Sequence, residues 1–327
     1  MDTLLEIEDL TVRFDTDEGT LTAVEGVSLS IGKGETLGLV GESGCGKSVT
    51  AMSILRLIPS PPGRIESGRI HFRDRDMLTI PDQDLRDIRG KSISIIFQEP
   101  MTALSPLKRV GHQLIEAIQL HEDVQKPDAA RRAVEWLGKV GIPDPAQRMQ
   151  SYPFQLSGGM RQRVMIAMAL MLEPELIIAD EPTTALDVTV QAQVLELIKA
   201  MKRDETSLLL ITHDMGVIWE MCERVTVMYA SQVVETAALR DLFAQPRHPY
   251  TEALIRSIPK LTGARGELQT IDGQVPSPLA YPGGCRFRDR CSKAFERCEL
   301  EMPPLYEADR VAARCFLSDP NPSVPPI

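Results

Sequence analysis

Residues 36 to 58 run from TLGLV through GESGCGKS into VTAMSILRLI. The middle segment, Gly41 to Ser48, fills the pattern G-x-x-x-x-G-K-S/T, and its flanks read as a strand and an opening helix, the context that pattern needs. A strand handed to a helix through a short glycine loop points to a parallel α/β sheet. There, the N–H groups at the helix N-terminus converge on one nest for a phosphate. Gly41, Gly44 and Gly46 let the backbone curl around it with no Cβ in the way. Lys47 brings a point charge for β- and γ-phosphates, and Ser48 a hydroxyl ligand for Mg²⁺. Glu42, Ser43, Cys45 and Val49 complete the nucleotide-binding loop and its exit into the helix.

A second pattern lies downstream, where LSGGMRQR, Leu156 to Arg163, precedes the apolar run LIIAD and then Glu181 and Pro182. ATP hydrolysis on a P-loop needs one carboxylate to hold Mg²⁺ and a second to polarise the attacking water. Asp180 takes the metal role and Glu181 the base. By itself DEP reads equally as a solvated turn, and it is Lys47 and Ser48 in the same chain that decide against this. His213 closes a further apolar run, Ser207 to Thr212. In open parallel sheets, ligands gather at such carboxyl ends of strands.

In this order the segments resemble the ATP-binding cassette (ABC) ATPases. That resemblance implies an α/β fold, a P-loop core with a helical subdomain and a loop-rich C-terminal extension. It makes Gln98, after SISIIF, the residue that senses Mg²⁺ and the attacking water, and His213 the contact to the γ-phosphate. Phe14, at the end of LTVRF, matches the aromatic that stacks on adenine, and Asp187, in ALD at 185 to 187, joins the nucleotide site. It also implies a head-to-tail dimer in which Ser157, Gly158 and Gly159 cap the γ-phosphate on another subunit's P-loop. Met160 stands where many relatives have Gln, a departure that leaves Ser157 and both glycines intact. With one P-loop and one signature, the chain needs a second ATPase subunit.

The 327 residues leave room for more than one domain. A net charge of −10 argues against a nucleic-acid partner, whose phosphates call for clustered Lys and Arg. No run of 18 apolar residues appears, and VMIAMALML, Val164 to Leu172, is too short to span a bilayer. The acidic start MDTLLEIEDL lacks the basic region of a signal peptide. The expectation is a cytosolic chain at the inner face of a membrane that it reaches through partners.

Four regions follow. Residues 1–98 form the first part of the nucleotide-binding core, with the turn-rich SPPGRIESG before a strand-like RIHF. Residues 99–155 read as helical, from the three- and four-residue apolar spacing in VGHQLIEAIQL and DAARRAVEWLGKVGI. They resemble the ABC helical subdomain. The core resumes over 156–235, and 236–327 form an extension.

That extension holds Cys285, Cys291, Cys298 and Cys315, spaced C-x₅-C-x₆-C-x₁₆-C. Disulfides are disfavoured in a reducing compartment. Four thiolates suit tetrahedral zinc or an iron–sulfur cluster. The spacing matches neither a close zinc knuckle nor the ferredoxin run, so spacing leaves the metal open. Arg286, Arg288, Arg290, Lys293, Arg297 and Arg314 are placed to offset thiolate charge. Of the other two cysteines, Cys222 reads as packed. Cys45, at a helix N-terminus, reads as a lowered-pKa thiol that ATP would shield.

The tail resembles the C-terminal region of ATP-binding subunits of dipeptide and oligopeptide importers. The matching pieces are RHPYTEALIRSIP, IDGQVPSP, GGCRFRDRC and the later cysteines, with QEPMTALSP upstream. This resemblance implies a 4Fe–4S cluster on the four cysteines, with zinc as runner-up and unmetallated packing as third. Ser231 replaces a Gly usual in relatives. The expected function is ATP binding and hydrolysis that powers peptide import. The expected partners are a second ATPase chain, two membrane-spanning permease subunits and an extracytoplasmic substrate-binding protein. Two rivals stand beside it: the same transporter class with nickel, sugars or glutathione as cargo, and a soluble ABC ATPase. The soluble class commonly has two cassettes or a long coiled coil, and this chain shows one cassette and no sustained heptads.

Overall fold

A computed structural model describes residues 2–98, 103–183, 188–258, 270–308 and 310–321. In chain order the described elements begin β1 (Thr3–Thr16), β2 (Gly19–Gly32), β3 (Thr36–Val40), α1 (Lys47–Ile54), β4 (Gly63–Phe72), β5 (Arg75–Asp76), α2 (Asp82–Ile88) and β6 (Ile93–Ile96). Next come α3 (Val110–Gln119), α4 (Lys126–Lys139), α5 (Pro145–Arg148), α6 (Gly158–Leu170), β7 (Leu176–Asp180), α7 (Val188–Met201) and β8 (Ser207–Thr212). The remainder are α8 (Met215–Met221), β9 (Arg224–Tyr229), β10 (Gln232–Ala238), α9 (Leu239–Ala244), α10 (Pro249–Arg256), α11 (Glu296–Leu300), β11 (Tyr306–Ala308) and β12 (Val311–Ala313). They fall into two compact units.

The first unit comprises Lys33–Glu35 and Ile80–Leu209. Its strands β6 and β7 run parallel, Ile93 beside Leu176 and Ile96 beside Ala179, with the Ser207–Leu209 half of β8 next to β7. All five residues of β7 are buried, as expected of a parallel strand covered on both faces. In α3 the buried Val110, Leu114 and Ile118 recur every four residues, and α4 buries Ala129, Ala133, Trp136 and Leu137. These are the amphipathic stripes that the apolar spacing calls for. Ser157 caps α6, whose later half is buried on most sides, which accounts for VMIAMALML as core. No described helix is long and apolar enough to cross a membrane.

The second unit comprises Asp2–Gly32, Thr36–Thr79 and Leu210–Ile327. One sheet in it is antiparallel, in the order β2-β1-β4-β5, with Leu5 opposite both Ile31 and Phe72. The segment GRIESG, expected as turn, belongs to β4: Arg64, Ile65 and Ser67 pair with Arg13, Val12 and Thr11. Register shifts around Thr11 absorb the glycine and serine that read as turn residues. Its other strands take the order β11-β12-β10-β9-β3, with the Leu210–Thr212 half of β8 beside β3. Strands β3 and β9 are parallel, Leu37 beside Arg224 and Val40 beside Val227.

The C-terminal extension is joined to this unit by polar contacts. Arg286 pairs with Glu25, donates to Ala230 O and lies 3.9 Å over the Tyr281 ring. Ser231 sits in left-handed backbone at φ 70°, which explains why glycine suits the position. Its buried hydroxyl donates to Thr22 O at 2.8 Å and meets Tyr281 Oη at 2.5 Å, offsetting the strain. Tyr229, Tyr250 and Phe287 form a cluster with ring centroids 4.6 to 5.5 Å apart.

His248 is buried beside this cluster, accepting from Tyr250 N at Nδ1 and donating its own N–H to Glu235. Burial, with help from Arg314, pushes its pKa down to about 3 from 6.5. A base whose folded pKa is depressed stabilises the fold above the unfolded pKa and loses that contribution as pH falls. Stability should therefore drop on acidification from about pH 6.5 toward pH 3. Glu235, raised chiefly by burial, acts in the opposite sense. Comparing unfolding midpoints against pH for wild type and His248→Gln cancels that common term, and the variant should show the shallower acid slope.

Candidate functional site

Strand β3 ends at Val40 and α1 begins at Lys47, with Gly46 as N-cap. The chain between them must turn hard. Gly41 has φ 154° and Gly46 φ 102°, and a Cβ on them would lie 2.2 Å from Met228 O and 2.3 Å from Ala23 O. Only glycine fits both places. Lys47 is 5 % exposed, and its Nζ donates to Gly41 O at 2.8 Å, Glu42 O at 3.0 Å and Cys45 Sγ at 3.8 Å. The ammonium thus lies along the loop, with rotatable donors suited to phosphate oxygens. Ser43 and Gly44 are exposed, while Glu42, Ser48 and Val49 are half-buried.

Cys45 corrects an expectation. Its side chain is 1 % exposed, and burial raises the thiol pKa, only partly offset by Lys47. A helix terminus lowers a thiol pKa only where the thiolate keeps enough solvation. Burial thus outweighs the helix terminus, and the thiol is enclosed where a lowered pKa was expected.

Phe14 is half-buried near the end of β1, opposite Leu21 and Gly63, and its ring edge lies where a side chain on residue 63 would be. His213 is exposed, one residue past β8. The turn that carries it is tied down by Asp214, whose N–H donates to Thr212 Oγ1 at 3.0 Å and whose carboxylate caps α8 through Gly216 N at 2.8 Å.

The first unit carries the acidic group. Asp180 is the last residue of β7 and is 6 % exposed. Glu181 follows in left-handed backbone at φ 44°, a conformation that costs a non-glycine residue free energy and recurs at functional sites. Gln98, two residues past β6, donates from Nε2 to Glu181 Oε2 at 3.1 Å. The structure so brings together two of the residues expected to handle the attacking water. Sequence reasoning missed Gln162, 1 % exposed on α6, whose Nε2 donates to Pro182 O at 2.6 Å. It ties the signature helix to the loop after the acidic pair, and its position inside LSGGMRQR was the available signal.

Ser157 Oγ accepts from Met160 N at 3.3 Å, so the serine serves as helix cap while staying exposed. Gly158 has open space where a Cβ would stand, and Gly159 would meet Val190 at 3.5 Å. Asp187 and the rest of ALD lie outside the described residues.

Cys285, Cys291, Cys298 and Cys315, all free thiols, line one cavity of about 10 Å³ with Phe287, Phe295 and Phe316. Burial pushes the Cys285 and Cys291 thiols up and that of Cys315 to about 12. Such a cavity holds roughly one water. Among the described residues no group of three or more His, Cys, Asp or Glu is arranged to hold a metal ion. Thiols are soft donors, but among the described residues their present spacing does not form a metal centre. The expected basic residues have other duties. Arg286 meets Glu25, Arg290 meets Glu42, Arg297 meets Glu301 and Asp319, and Arg314 donates to Val233 O and Pro303 O. Arg288 and Lys293 do line the cavity, though Lys293 also pairs with Glu252.

Residues 24–184 match the ABC transporter family and residues 234–298 the oligopeptide/dipeptide transporter C-terminal region. The chain is 50 % identical to the oligopeptide transport ATP-binding protein AppD of Bacillus subtilis, covering 97 % of each chain. It is 47 % identical to the dipeptide transport ATP-binding protein DppD of the same organism, over 98 % of this chain and 96 % of that one. The ATP-binding cassette MJ0796, solved as a dimer in a post-hydrolysis state bound to ADP and Pi, aligns with TM-score 0.64 and 28 % identity. That alignment covers 72 % of this chain and 99 % of the other. With a P-loop on β3, an acidic pair ending β7 and relatives matched along nearly their whole length, the chain belongs to the ATP-binding proteins of the ABC transporter family.

Proposed function

We infer that this chain binds and hydrolyses ATP to power import of di- or oligopeptides through a multisubunit ABC transporter. The observation that carries the reading is the match, through the C-terminal extension, to peptide-transport ATP-binding proteins. It favours peptides over the alternative cargoes and transport over a soluble role.

Lys47 and the N–H groups at the start of α1 bind the phosphates within the loop Gly41 to Val49, and Phe14 stacks on the adenine. Ser48 and Asp180, with Gln98, are the residues that would hold Mg²⁺, whose charge offsets that of the phosphates when bound. Glu181 accepts the proton of the attacking water while Gln98 orients its carboxylate, and His213 contacts the γ-phosphate. Ser157, Gly158 and Gly159 close over the nucleotide of a second ATPase subunit, and Asp187 is assigned to the nucleotide site by resemblance. The helical region 99–155 meets the permease pair at the cytoplasmic face of the membrane. Supporting this, an open depression of about 260 Å³ there is lined by His112, Ile115, Gln119 and Leu120, the last 73 % exposed. A substrate-binding protein delivers the peptide from outside. The four regions 1–98, 99–155, 156–235 and 236–327 are the division of labour we propose.

The four extension cysteines are proposed as the ligands of a 4Fe–4S cluster. Four sulfurs on separate segments around one carboxylate-free cavity support this, as does their soft donor chemistry. Anaerobically purified protein should contain about four iron and four sulfide per chain, lost in Cys285→Ser. Zinc alone, or no metal, would overturn that assignment and leave the ATPase reading standing.

Replacing Glu181 by Gln keeps the shape and removes the base. ATP binding should persist while turnover falls by about 10²–10⁴, the range for loss of a positioned general base. Phosphate release beside ATP binding by the same preparation checks this, and undiminished turnover would remove Glu181 from the role.

A further inference from the structure

Glu42, the second residue of the P-loop, is held at three points. Its N–H donates to Tyr250 Oη at 2.9 Å, and its carbonyl accepts from Lys47 Nζ at 3.0 Å. Its carboxylate takes a two-point contact from Arg290, Nη1 to Oε2 at 2.6 Å and Nη2 to Oε1 at 3.0 Å. Tyr250 lies on α10 and Arg290 ends the short 3₁₀ turn Arg288–Arg290. Both belong to the C-terminal extension, Arg290 standing 248 positions after its partner.

Arg290 is built in rather than draped on the surface. Its side chain is 5 % exposed. Besides Glu42 it donates from Nε to Asp272 O at 2.9 Å, from Nη2 to Ile271 O at 3.2 Å and from Nη1 to Tyr229 Oη at 3.4 Å. These contacts match the five N–H donors of a guanidinium. The group also lies 5.7 Å over the Tyr229 ring and 6.0 Å over that of Phe287. A planar fork fixed in this way sets the orientation of the carboxylate it grips as well as its position.

The carbonyl of Glu42 is one of two that hold the Lys47 ammonium. Whatever fixes Glu42 therefore fixes the first turn of the phosphate nest. We propose that Arg290 is a positioning residue for the P-loop, gripping Glu42 so that Lys47 and the loop N–H groups meet the ATP phosphates in one geometry. This rests on the reading of the P-loop as the ATP site.

The test is titration of the full chain with a fluorescent ATP analogue and Mg²⁺, alongside thermal unfolding. The proteins are wild type, Arg290→Gln, Arg290→Lys, Glu42→Gln and the Arg290→Gln/Glu42→Gln double variant. Arg290→Gln should weaken binding about tenfold, equivalent to ~1.4 kcal/mol. Arg290→Lys should rescue little, because an ammonium makes no two-point grip. The double variant should bind no more weakly than the weaker single one, since both remove the same interaction. A lowered unfolding temperature with unchanged affinity in Arg290→Gln would make the pair purely structural and overturn the proposal. If Arg290→Gln does not fold, Glu42→Gln and Tyr250→Phe each remove one hold on the loop, and unchanged affinity in both overturns it equally. Should Lys47→Ala bind the analogue as wild type does, the P-loop reading fails, and the proposal with it.

Discussion

Two backbone carbonyls, Met228 O and Ala23 O, stand where side chains at Gly41 and Gly46 would have to go. That close approach holds the loop between β3 and α1, and Lys47 lies inside it. Met228 belongs to β9, the parallel neighbour of β3, and Ala23 to β2. Both strands of the nucleotide-binding unit thus press on the loop from outside. The pressing is possible because the strands are themselves secured: all of β3 is buried, and five of the six residues of β9 are. An alanine at either glycine would meet the same carbonyls that keep the loop in shape.

The glycine loop, the acidic pair and the buried strands were legible because each depends on neighbours in sequence. A glycine spacing, a five-residue apolar run or a strand-end carboxylate is visible without knowing what packs on it. Resemblance gave Gln98 and Glu181 separate roles at the attacking water, and the bond between them came only with the structure, since they lie 83 positions apart. Gln162 escaped because a glutamine on a helix reads as surface until the carbonyl of Pro182 is placed above it. Cys45 misled for a related reason. The helix terminus is visible in sequence, whereas the burial that outweighs it comes from chain packed on the loop from elsewhere.

The extension shows the same division more sharply. Its cysteines could be counted, and they do converge on one cavity. Its arginines were read as company for the sulfurs, yet most of them reach carboxylates and carbonyls on the nucleotide-binding strands and loop. Arg286 meets Glu25 and Ala230, Arg314 meets Val233, and Arg290 meets Glu42. Buried charges need partners, and in a tail with few regular elements the nearest partners belong to the core it covers. The tail is thereby fixed to the P-loop, and one polypeptide carries both.

The central claim is that ATP used at this P-loop drives peptide uptake. Its most direct test is the entry of labelled di- and oligopeptides into cells that lack this chain, complemented with wild type or with Lys47→Ala. Wild type should restore uptake and Lys47→Ala should not, with equal amounts of each protein present. Equal uptake with both proteins, or none with wild type while its partners are present, would contradict the account.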